Sequence, residues 1–340
     1  MVCVYNMGDE IAKCLECHNC SKYCPLGFSV GHLIHLYREH NIKEACKYIF
    51  SNHPFPLICS YICPDNFCME HCPTNVDIKW FRKFFLQDKI RADEYIERNG
   101  KHIAIVGGGV SGLTCAWYLY RKGYTIDLYE KNKLGGELNF IPEDRLPKSV
   151  LSYEIEDLKQ YIDNLILDEF DRDCVKEYDK VIYCIGMKPK ALSWKVDPDN
   201  SLELMPYNEH LSSPYEGDLG IIGGGNVALD CAIHNKGHST IFVRRNYWDM
   251  RINQKDFKTI IDRKIKVVDN FTPIGIFDGK LIGDYCGNVI SFKFNRVVTA
   301  IGREPIELSE LSNNELQIVP NKSAIETIAK TIKELKGTDL

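Results

Sequence analysis

The sequence predicts an α/β protein in which two Rossmann-like domains, each a three-layer arrangement around a parallel sheet, follow an α-helical module. The first 72 residues contain two dense cysteine runs, and from residue 102 onward buried strands alternate with helices. A glycine-rich turn joins strand to helix at residue 107 and again at residue 223. The second unit is therefore expected to be inserted in the first.

The helical module is predicted from apolar residues at helical spacing. Residues 31–50 indicate two short helices, and an apolar stripe after Cys72 indicates a third over roughly 76–96. Asn99-Gly100 is typical of a turn and a domain boundary.

The strands and helices of the two later units follow from apolar runs bounded by glycine. The first unit is predicted to have strands at 102–107, 125–130 and 179–186, with a helix at 111–123. The second repeats this order, with strands at 218–223 and 239–245 around a helix at 226–237. A strand at 296–302 and an amphipathic helix at 323–336 complete the pattern.

Composition excludes several classes of function. The 340 residues suffice for two or three domains, and 44% hydrophobic with 26% charged residues is ordinary for a globular protein. A net charge of -5 provides no basic field for nucleic acid, and no apolar run approaches the ~20 residues of a membrane span. Fifteen cysteines without a recognisable export signal predict a cytoplasmic, reducing environment where thiols bind metals.

The spacing of eight cysteines predicts two iron–sulfur clusters. They are Cys14, Cys17, Cys20, Cys24, Cys59, Cys63, Cys68 and Cys72. In a CxxCxxCxxxCP run the last cysteine usually serves the other cluster. Cys14, Cys17 and Cys20 should therefore share one cluster with a distant cysteine such as Cys72, and Cys24 should join Cys63 and Cys68. Zinc would need only two CxxC pairs, and a disulfide scaffold does not suit a reducing compartment.

The first glycine-rich turn has the features of a dinucleotide site. Gly107 permits a tight turn, Gly109 lets a pyrophosphate approach the backbone, and Gly112 lets helix and strand pack closely. The helix N-terminus offers N–H groups to phosphate. Glu130 ends the next strand, where a carboxylate can accept hydrogen bonds from ribose hydroxyls.

The second turn has the same context but a different strand end. Gly223, Gly225 and Asn226 open the helix, and the following strand ends in Arg244 and Arg245 rather than an acid. Guanidinium groups would bind a 2′-phosphate, which favours NADPH over NADH. The alternative is that both arginines are merely solvated charges at a strand end.

Together these segments resemble a known family. Leu134–Leu138 with Ile141–Lys148, the second glycine turn with its two arginines, and Thr299–Gly302 are similar to segments of the small (beta) subunit of bacterial glutamate synthase. The N-terminal half of dihydropyrimidine dehydrogenase and the NADPH subunit of bifurcating ferredoxin:NADP oxidoreductases share the same order. The resemblance covers roughly residues 10 to 305.

The resemblance implies a cytoplasmic NAD(P)H oxidoreductase subunit that passes electrons from NADPH through FAD and two [4Fe-4S] clusters to a partner protein or catalytic subunit, or in reverse. It implies a cluster domain at 1–98, an FAD-binding domain at 99–190 and 296–340, and an NAD(P)-binding domain at 191–295. The nucleotide of the last domain would be NADP(H), with NAD(H) as the alternative. No side chain is assigned to catalysis. The implied cofactor-binding residues are Gly107, Gly109, Val110, Ser111, Gly112, Glu130, Lys131, Gly136, Glu137, Leu138, Arg145, Gly186, Gly302, Gly223, Gly225, Asn226, Val227, Arg244 and Arg245.

Three departures from the family pattern keep alternatives open. The fourth ligand of the second cluster could be Cys59, Gln87 or Asp88, with Arg82 near the position where the family has Gln or Glu. No late Gly-Asp motif follows Gly302, and the segments 148–178 and 246–295 are short. A diverged electron-relay subunit with an incomplete flavin or nucleotide site is therefore the alternative reading.

A thioredoxin-reductase-like enzyme is a poorer alternative. Such an enzyme needs a redox CxxC in its nucleotide domain, and residues 190–300 contain only Cys231 and Cys286, far apart in sequence.

Overall fold

A computed structural model describes residues 11–63, 67–77, 96–197, 202–213, 215–252, 254–321 and 323–338. The predicted third helix of the cysteine-rich module, including Arg82, Gln87 and Asp88, falls almost entirely outside the described residues. The chain divides into two compact units. One comprises Met1–Asn139, Glu143–Gly186 and Glu307–Leu340, and the other comprises Phe140–Pro142 and Met187–Ile306. No helix in the described ranges is long and apolar enough to cross a membrane.

Short helices carry the cysteine runs in the first unit. They are α1 (Asn19–Tyr23), α2 (Val30–Arg38), α3 (Ile42–Asn52), α4 (Pro56–Ile62) and α5 (Phe67–Glu70). The Ser29 hydroxyl accepts from the N–H of His32 and so caps α2, while the Asn41 side chain caps α3 through Glu44 N–H. Both helices bury their apolar faces. The prediction of two helices over 31–50 is confirmed.

A five-stranded parallel sheet forms the rest of the first unit. Its strands are β1 (His102–Val106), β2 (Thr125–Tyr129), β3 (Asn164–Ile166), β4 (Lys180–Tyr183) and the chain's last strand, β16 (Glu315–Gln317), in the order β16-β4-β1-β2-β3. The helices are α6 (Val110–Tyr120), α7 (Lys148–Leu158) and α11 (Ala324–Lys336), with 3₁₀ turns at Gly136–Phe140, Lys159–Tyr161 and Arg172–Glu177. The parallel sheet, with a helix between β1 and β2, agrees with the Rossmann-like domain that the sequence predicts.

The second unit repeats that sheet and adds another. The strands are β5 (Met187–Pro189), β6 (Lys195–Val196), β7 (Glu203–Pro206), β8 (Leu219–Ile222), β9 (Ser239–Phe242), β10 (Lys266–Val268), β11 (Phe271–Phe277), β12 (Lys280–Tyr285), β13 (Asn288–Lys293), β14 (Arg296–Thr299) and β15 (Arg303–Pro305). A parallel sheet has the order β10-β9-β8-β14-β7, a second sheet has the order β13-β12-β11-β6, and β15 pairs with β5. The helices are α8 (Tyr207–Ser212), α9 (Asn226–His234) and α10 (Gln254–Asp262), with a 3₁₀ turn at Tyr247–Asp249.

The strand predicted at 296–302 lies in a different unit from the one expected. From the sequence, residues from 296 onward are expected in the first unit. Instead β14 pairs in parallel with β7 and β8, and Val297 and Val298 are completely buried there. A strand with no exposed apolar residue fits a central position in a parallel sheet. The chain rejoins the first unit at Glu307.

The antiparallel strands β11, β12 and β13 were not predicted. Two-residue turns join them, Asp278-Gly279 and Cys286-Gly287, and all four residues have φ between 48° and 84°. Positive φ at both central residues is the requirement of a type I′ hairpin turn. The segment is thus a hairpin meander inserted before β14.

A buried carboxylate joins the cysteine-rich helices to the first parallel sheet. Glu154 lies on α7, and its side chain is 2% exposed. It accepts hydrogen bonds from the backbone N–H groups of Leu57 and Ile58, the latter at 2.7 Å. These N–H groups belong to the first turn of α4, where no intrahelical acceptor exists. Glu154 therefore fixes the start of the helix that carries Cys59 and ends before Cys63.

Glu154→Ala should destabilise this junction. It leaves two buried N–H groups without an acceptor, which should lower the free energy of unfolding by about 2–4 kcal/mol. Urea unfolding measures the loss. The control is Glu156→Ala on the same helix, because the Glu156 side chain is 74% exposed and forms a surface ion pair with Lys159. Equal stability of the two variants would contradict the role of Glu154.

The pH dependence of stability gives a second readout of the same residue. Burial raises the pKa of Glu154 to about 8, against the opposing effect of the two N–H donors. Because the pKa in the folded state exceeds that of the unfolded chain, the stabilisation is complete below about pH 4.5 and is lost as the pH rises towards 8. Glu154→Gln should flatten the change in free energy of unfolding over this range. An unchanged slope would contradict the assignment.

Candidate cofactor-binding sites

Two glycines of the first turn are required by the protein's own packing. Gly107 has φ of +103°, and a Cβ there would lie 2.5 Å from the carbonyl oxygen of Cys184, which follows β4. A Cβ on Gly112 would lie 1.8 Å from the carbonyl oxygen of Gly107. Only glycine allows the chain to leave β1 here and return as α6 so close to the strand.

Gly109 differs because no described residue occupies the space beside it. Its φ is -78°, which any residue adopts, and among the described residues no atom lies within 4 Å of the position of a Cβ. Gly109 is the N-cap of α6, whose first N–H groups have no intrahelical acceptor. The hydroxyl of Ser111, the second residue of the helix, is buried without a hydrogen-bond partner among the described residues. An anionic group beside Gly109 would satisfy these donors.

Glu130 is held in place at the end of β2. Its two carboxylate oxygens accept from the N–H groups of Gly108 and Asn132, each at 2.8 Å, and the residue is 9% exposed. Each oxygen keeps a further lone pair. A fixed carboxylate at this strand end suits the hydroxyls of a ribose.

The segment after Glu130 lies against the glycine turn. Gly135 N–H donates to the carbonyl oxygen of Gly108 at 2.8 Å, and a Cβ on Gly136 would lie 3.1 Å from the Cα of Gly109. Leu138 is buried, and Lys148 Nζ donates to the carbonyl oxygen of Asn139 at 2.8 Å. The sequence motifs at 107–112 and 134–148 thus meet in space.

The other residues assigned to this site have varied surroundings. Val110 belongs to the first turn of α6, while Glu137 and Arg145 are half-buried and have partners within the protein. Lys131 is exposed and pairs with Glu169 at 2.8 Å. Gly186, at the end of the first unit's segment, has φ of +81° and open space at its Cβ position.

The second turn repeats the geometry of the first. Gly223 has φ of +148°, and a Cβ there would lie 2.3 Å from the carbonyl oxygen of Ala300, which follows β14. Gly225, the N-cap of α9, has φ of -119°, and the only atom within 4 Å of its Cβ position is the Arg251 carbonyl oxygen, at 4.0 Å. Asn226 Oδ1 is buried with no partner in the described parts of the chain. Val227 follows it in the first turn of α9.

The two arginines predicted to select the nucleotide lie just beyond β9. Arg244 and Arg245 are exposed and form no ion pair with any acidic residue that the structure describes. The Arg245 carbonyl oxygen accepts from Asn270 N–H at 3.1 Å, which fixes the backbone while the guanidinium remains available. Gly302, after β14, has φ of +114° and lies near Lys190.

The two cysteine runs come together in the first unit. Helices α1 and α5 pack against each other, and the rings of Tyr23 and His71 stack at 3.5 Å. Burial, followed by the neighbouring thiols of Cys63 and Cys24, raises the pKa of Cys68 to about 12. Cys24, Cys63 and Cys68, predicted to share a cluster, are therefore close enough to interact.

Cys59 belongs to the same neighbourhood. It is 7% exposed, and burial first, then Cys63, Glu154 and Cys24, raise the pKa of its thiol well above the usual value. Of the three candidates for the fourth ligand of the second cluster, it is the one within the described residues.

The cysteines predicted to hold the first cluster have different surroundings. Cys14 Sγ accepts from Glu16 N–H and Cys72 Sγ from Val76 N–H, each at 3.4 Å, whereas Cys17 is exposed. Burial acts to raise the pKa of Cys72, but the Val76 N–H and Thr74 hydroxyl outweigh it and lower that pKa. Hydrogen bonds to sulfur stabilise thiolate and are one determinant of cluster potential.

The donor set fits clusters better than a single ion. No three His, Cys, Asp or Glu side chains among the described residues converge as ligands of one metal ion. In an iron–sulfur cluster each thiolate binds a different iron, so the ligands stand farther apart. Sulfur-only donors from two adjoining runs satisfy that chemistry.

The remaining described cysteines behave mainly as core residues. Cys46, Cys115, Cys184 and Cys231 are buried, and Cys174 is half-buried. Cys286 is exposed in a hairpin turn of a different sheet from the one that Cys231 packs against, so the structure provides no redox CxxC for a thioredoxin-reductase-like enzyme.

Some supporting residues could not be found from the sequence. Asn132 contributes only a backbone N–H to Glu130, and Glu154 reaches a helix 96 residues away. Neither contact has a local sequence signal.

Two protein families match this chain. The family described as dihydropyrimidine dehydrogenase domain II, 4Fe-4S cluster, matches residues 5–95. The NAD(P)-binding Rossmann-like domain family matches residues 105–155, the segment that contains the first glycine turn and Glu130.

Curated relatives extend the match over most of the chain. The NAD-dependent dihydropyrimidine dehydrogenase subunit PreT of Salmonella typhimurium is 25% identical over 326 residues, covering 86% of this chain and 79% of that protein. The glutamate synthase [NADPH] small chain of Escherichia coli K12 is 26% identical over 307 residues, covering 78% of this chain and 65% of that protein.

A solved structure shares the fold. A 2-naphthoyl-CoA reductase superposes with a TM-score of 0.60 at 16% identity over 91% of this chain. The chain spans about half of that protein, 49% of its length. The matched domains and these relatives show an oxidoreductase with a 4Fe-4S domain followed by an NAD(P)-binding domain, and the chain is similar to PreT and to the glutamate synthase small chain over most of its length.

Proposed function

We propose that this oxidoreductase is a subunit that carries FAD at the first glycine turn, NADP(H) at the second and two [4Fe-4S] clusters in the cysteine-rich module. Electrons from NADPH would leave through the clusters to a partner protein or catalytic subunit, or travel in reverse. One observation carries the proposal. Among the described residues no atom lies closer than 4.0 Å to the Cβ position of Gly109 or of Gly225, each the N-cap of a helix. Each of these helices begins with a buried polar atom, of Ser111 or of Asn226, that has no partner in the described parts of the chain.

The first unit supplies the groups that would bind and orient a flavin nucleotide. The N-terminus of α6 and the Ser111 hydroxyl would bind pyrophosphate, and Glu130 would accept from the ribose. The segment around Gly136 lies against this turn and would close one side of the site. When bound, the flavin supplies conversion between two-electron hydride transfer and one-electron transfer.

The second unit would bind the nicotinamide nucleotide. Gly225 and Asn226 at the start of α9 would contact its pyrophosphate, and Arg244 and Arg245 would contact a 2′-phosphate. The exposed arginines at the end of β9 support NADP(H) over NAD(H), because an acidic residue is absent from that strand end.

The cysteines would divide between two clusters. Cys14, Cys17, Cys20 and Cys72 are proposed for the first, and Cys24, Cys63 and Cys68 for the second. Burial of Cys59 beside Cys63 supports it as the fourth ligand of the second cluster, and Gln87 and Asp88 are the alternatives.

The partner is proposed from the relatives. PreT is a subunit of a dihydropyrimidine dehydrogenase, and the small chain is one part of glutamate synthase. By analogy, the terminal substrate of this chain's electrons would be bound by another polypeptide.

Alanine at the N-cap glycine of each turn, Gly109 or Gly225, should impair one nucleotide site and leave the other intact. Gly109→Ala should reduce flavin content, and Gly225→Ala should raise the KM for NADPH. Each effect should be roughly tenfold, because the added methyl group would occupy the space proposed for the pyrophosphate without colliding with a described residue. Flavin content per chain and NADPH-dependent ferricyanide reduction measure the two effects.

The control for this pair is Gly112→Ala, which should damage folding itself because its Cβ would meet the Gly107 carbonyl oxygen at 1.8 Å. Flavin retention in Gly109→Ala at the wild-type level would contradict the first site. An unchanged KM in Gly225→Ala would contradict the second.

Removal of the two arginines should change nucleotide preference. Arg244→Ala with Arg245→Ala should raise the KM for NADPH by roughly 10–100-fold, since hydrogen bonds to charged groups contribute about 1.5–3 kcal/mol, and should leave NADH nearly unaffected. Lys280→Ala with Lys293→Ala removes two exposed charges from the hairpin sheet and serves as the control. Equal losses with NADPH and NADH would overturn the assignment.

A further inference from the structure

A basic cavity lies in the first unit, and its lining includes Pro25 and Leu26 but no residue of the first glycine turn. Its volume is about 490 Å³, and it is formed by the ends of α6 and α11 together with Pro25 and Leu26. The cavity lies at the C-terminal end of α6, whereas Gly109 is at the other end. An 11-residue helix separates them by about 16 Å.

Four cations line this cavity: Arg121, Lys122, Lys333 and Lys336. Arg121 is fixed, since its Nη1 donates to the Ser51 carbonyl oxygen at 2.7 Å and its guanidinium lies 5.0 Å from the centre of the Trp117 ring. The three lysines are exposed and form no ion pair with an acidic residue in the described ranges. Glu334, on the same helix, pairs with Lys330 instead. The whole chain carries a net charge of -5, so this positive surface departs from the average.

The cavity wall includes residues that directly follow a proposed cluster ligand in the sequence. Pro25 and Leu26 form part of its wall and directly follow Cys24, which ends α1. Cys24 is the proposed link from the first cysteine run to the second cluster. A redox centre placed against this wall would therefore be separated from that cluster by little more than the Cys24 loop.

The arrangement of charge favours a protein over a small anion. A small anion needs donors fixed inside the cavity, and only Arg121 is held by contacts of that kind. Three exposed lysines on long side chains around an opening instead attract a surface of opposite charge and speed its approach.

We propose that this cavity and its rim of lysines dock a small electron-carrier protein whose redox centre is surrounded by carboxylates. The inference rests on the proposed function and names the partner class that would accept its electrons. Cys24, Cys63 and Cys68 would hold the cluster that gives up one electron to the carrier in each encounter, with no bond made or broken. Arg121 and the three lysines act in docking and are not catalytic residues.

A charge-reversal experiment tests the docking surface with a plant-type [2Fe-2S] ferredoxin as the acidic probe. The test variant is Lys122→Glu, Lys333→Glu and Lys336→Glu. The control variant is Lys236→Glu, Lys264→Glu and Lys266→Glu, three exposed lysines of the second unit that give the same change in net charge. NADPH-driven, ferredoxin-dependent cytochrome c reduction gives kcat/KM for ferredoxin, and ferricyanide reduction reports electron delivery without docking.

At low ionic strength the test variant should lose at least about tenfold in kcat/KM for ferredoxin, and the loss should shrink in high salt. The control variant should retain ferredoxin reduction close to wild type, and both variants should reduce ferricyanide normally. Calorimetric titration with ferredoxin should show weaker binding only in the test variant. A triple Lys→Gln variant should show an intermediate loss, which separates charge from misfolding.

The possible results distinguish the docking surface from the proposed function. Equal ferredoxin kinetics and binding in the two triple variants would overturn the docking surface. So would a wild type that reduces ferricyanide but neither binds nor reduces ferredoxin. A wild type that contains no flavin and fails to reduce ferricyanide would overturn the proposed function, and ferredoxin binding by calorimetry would still decide whether the cavity docks an acidic carrier.

Discussion

The structure depends on a close approach between a glycine at the end of one parallel strand and a carbonyl oxygen after the neighbouring strand. Only glycine permits this approach, and the chain makes it twice. Gly107 and Gly223 each leave a parallel strand with positive φ, in contact with the carbonyl oxygen that follows the neighbouring strand. Directly after this close approach a helix begins, α6 in the first unit and α9 in the second. The two helix starts are therefore equivalent candidates for anion binding, and they differ in what the adjacent strand ends carry.

Those differences give the two units distinct chemistry. In the first, Glu130 is fixed by two N–H donors and can serve a ribose, and the loop around Gly136 closes against the turn. In the second, Arg244 and Arg245 leave exposed positive charge at the equivalent strand end. The cysteine-rich helices join the first unit through the buried Glu154, so the cluster ligands and the first glycine turn belong to one compact body.

Much of this could be predicted from sequence, because buried parallel strands, glycine turns and metal-binding cysteines have strong local patterns. The parts that could not be predicted depend on distant contacts. Val297 and Val298 predict a buried strand but not which sheet contains it, and Glu154 gives no sign that it caps α4. The hairpin meander was predictable in principle, since Asp278-Gly279 is a strong type I′ signal between alternating residues.

The most direct test of the whole account is cofactor analysis of the chain purified without oxygen, with its visible spectrum recorded before and after NADPH is added. The account predicts roughly eight irons with matching sulfide, one FAD per chain, and bleaching by NADPH. Iron without flavin, together with no spectral response to NADPH, would contradict it. That result would identify the chain as an electron-relay subunit whose glycine turns no longer bind the nucleotides for which their geometry is suited.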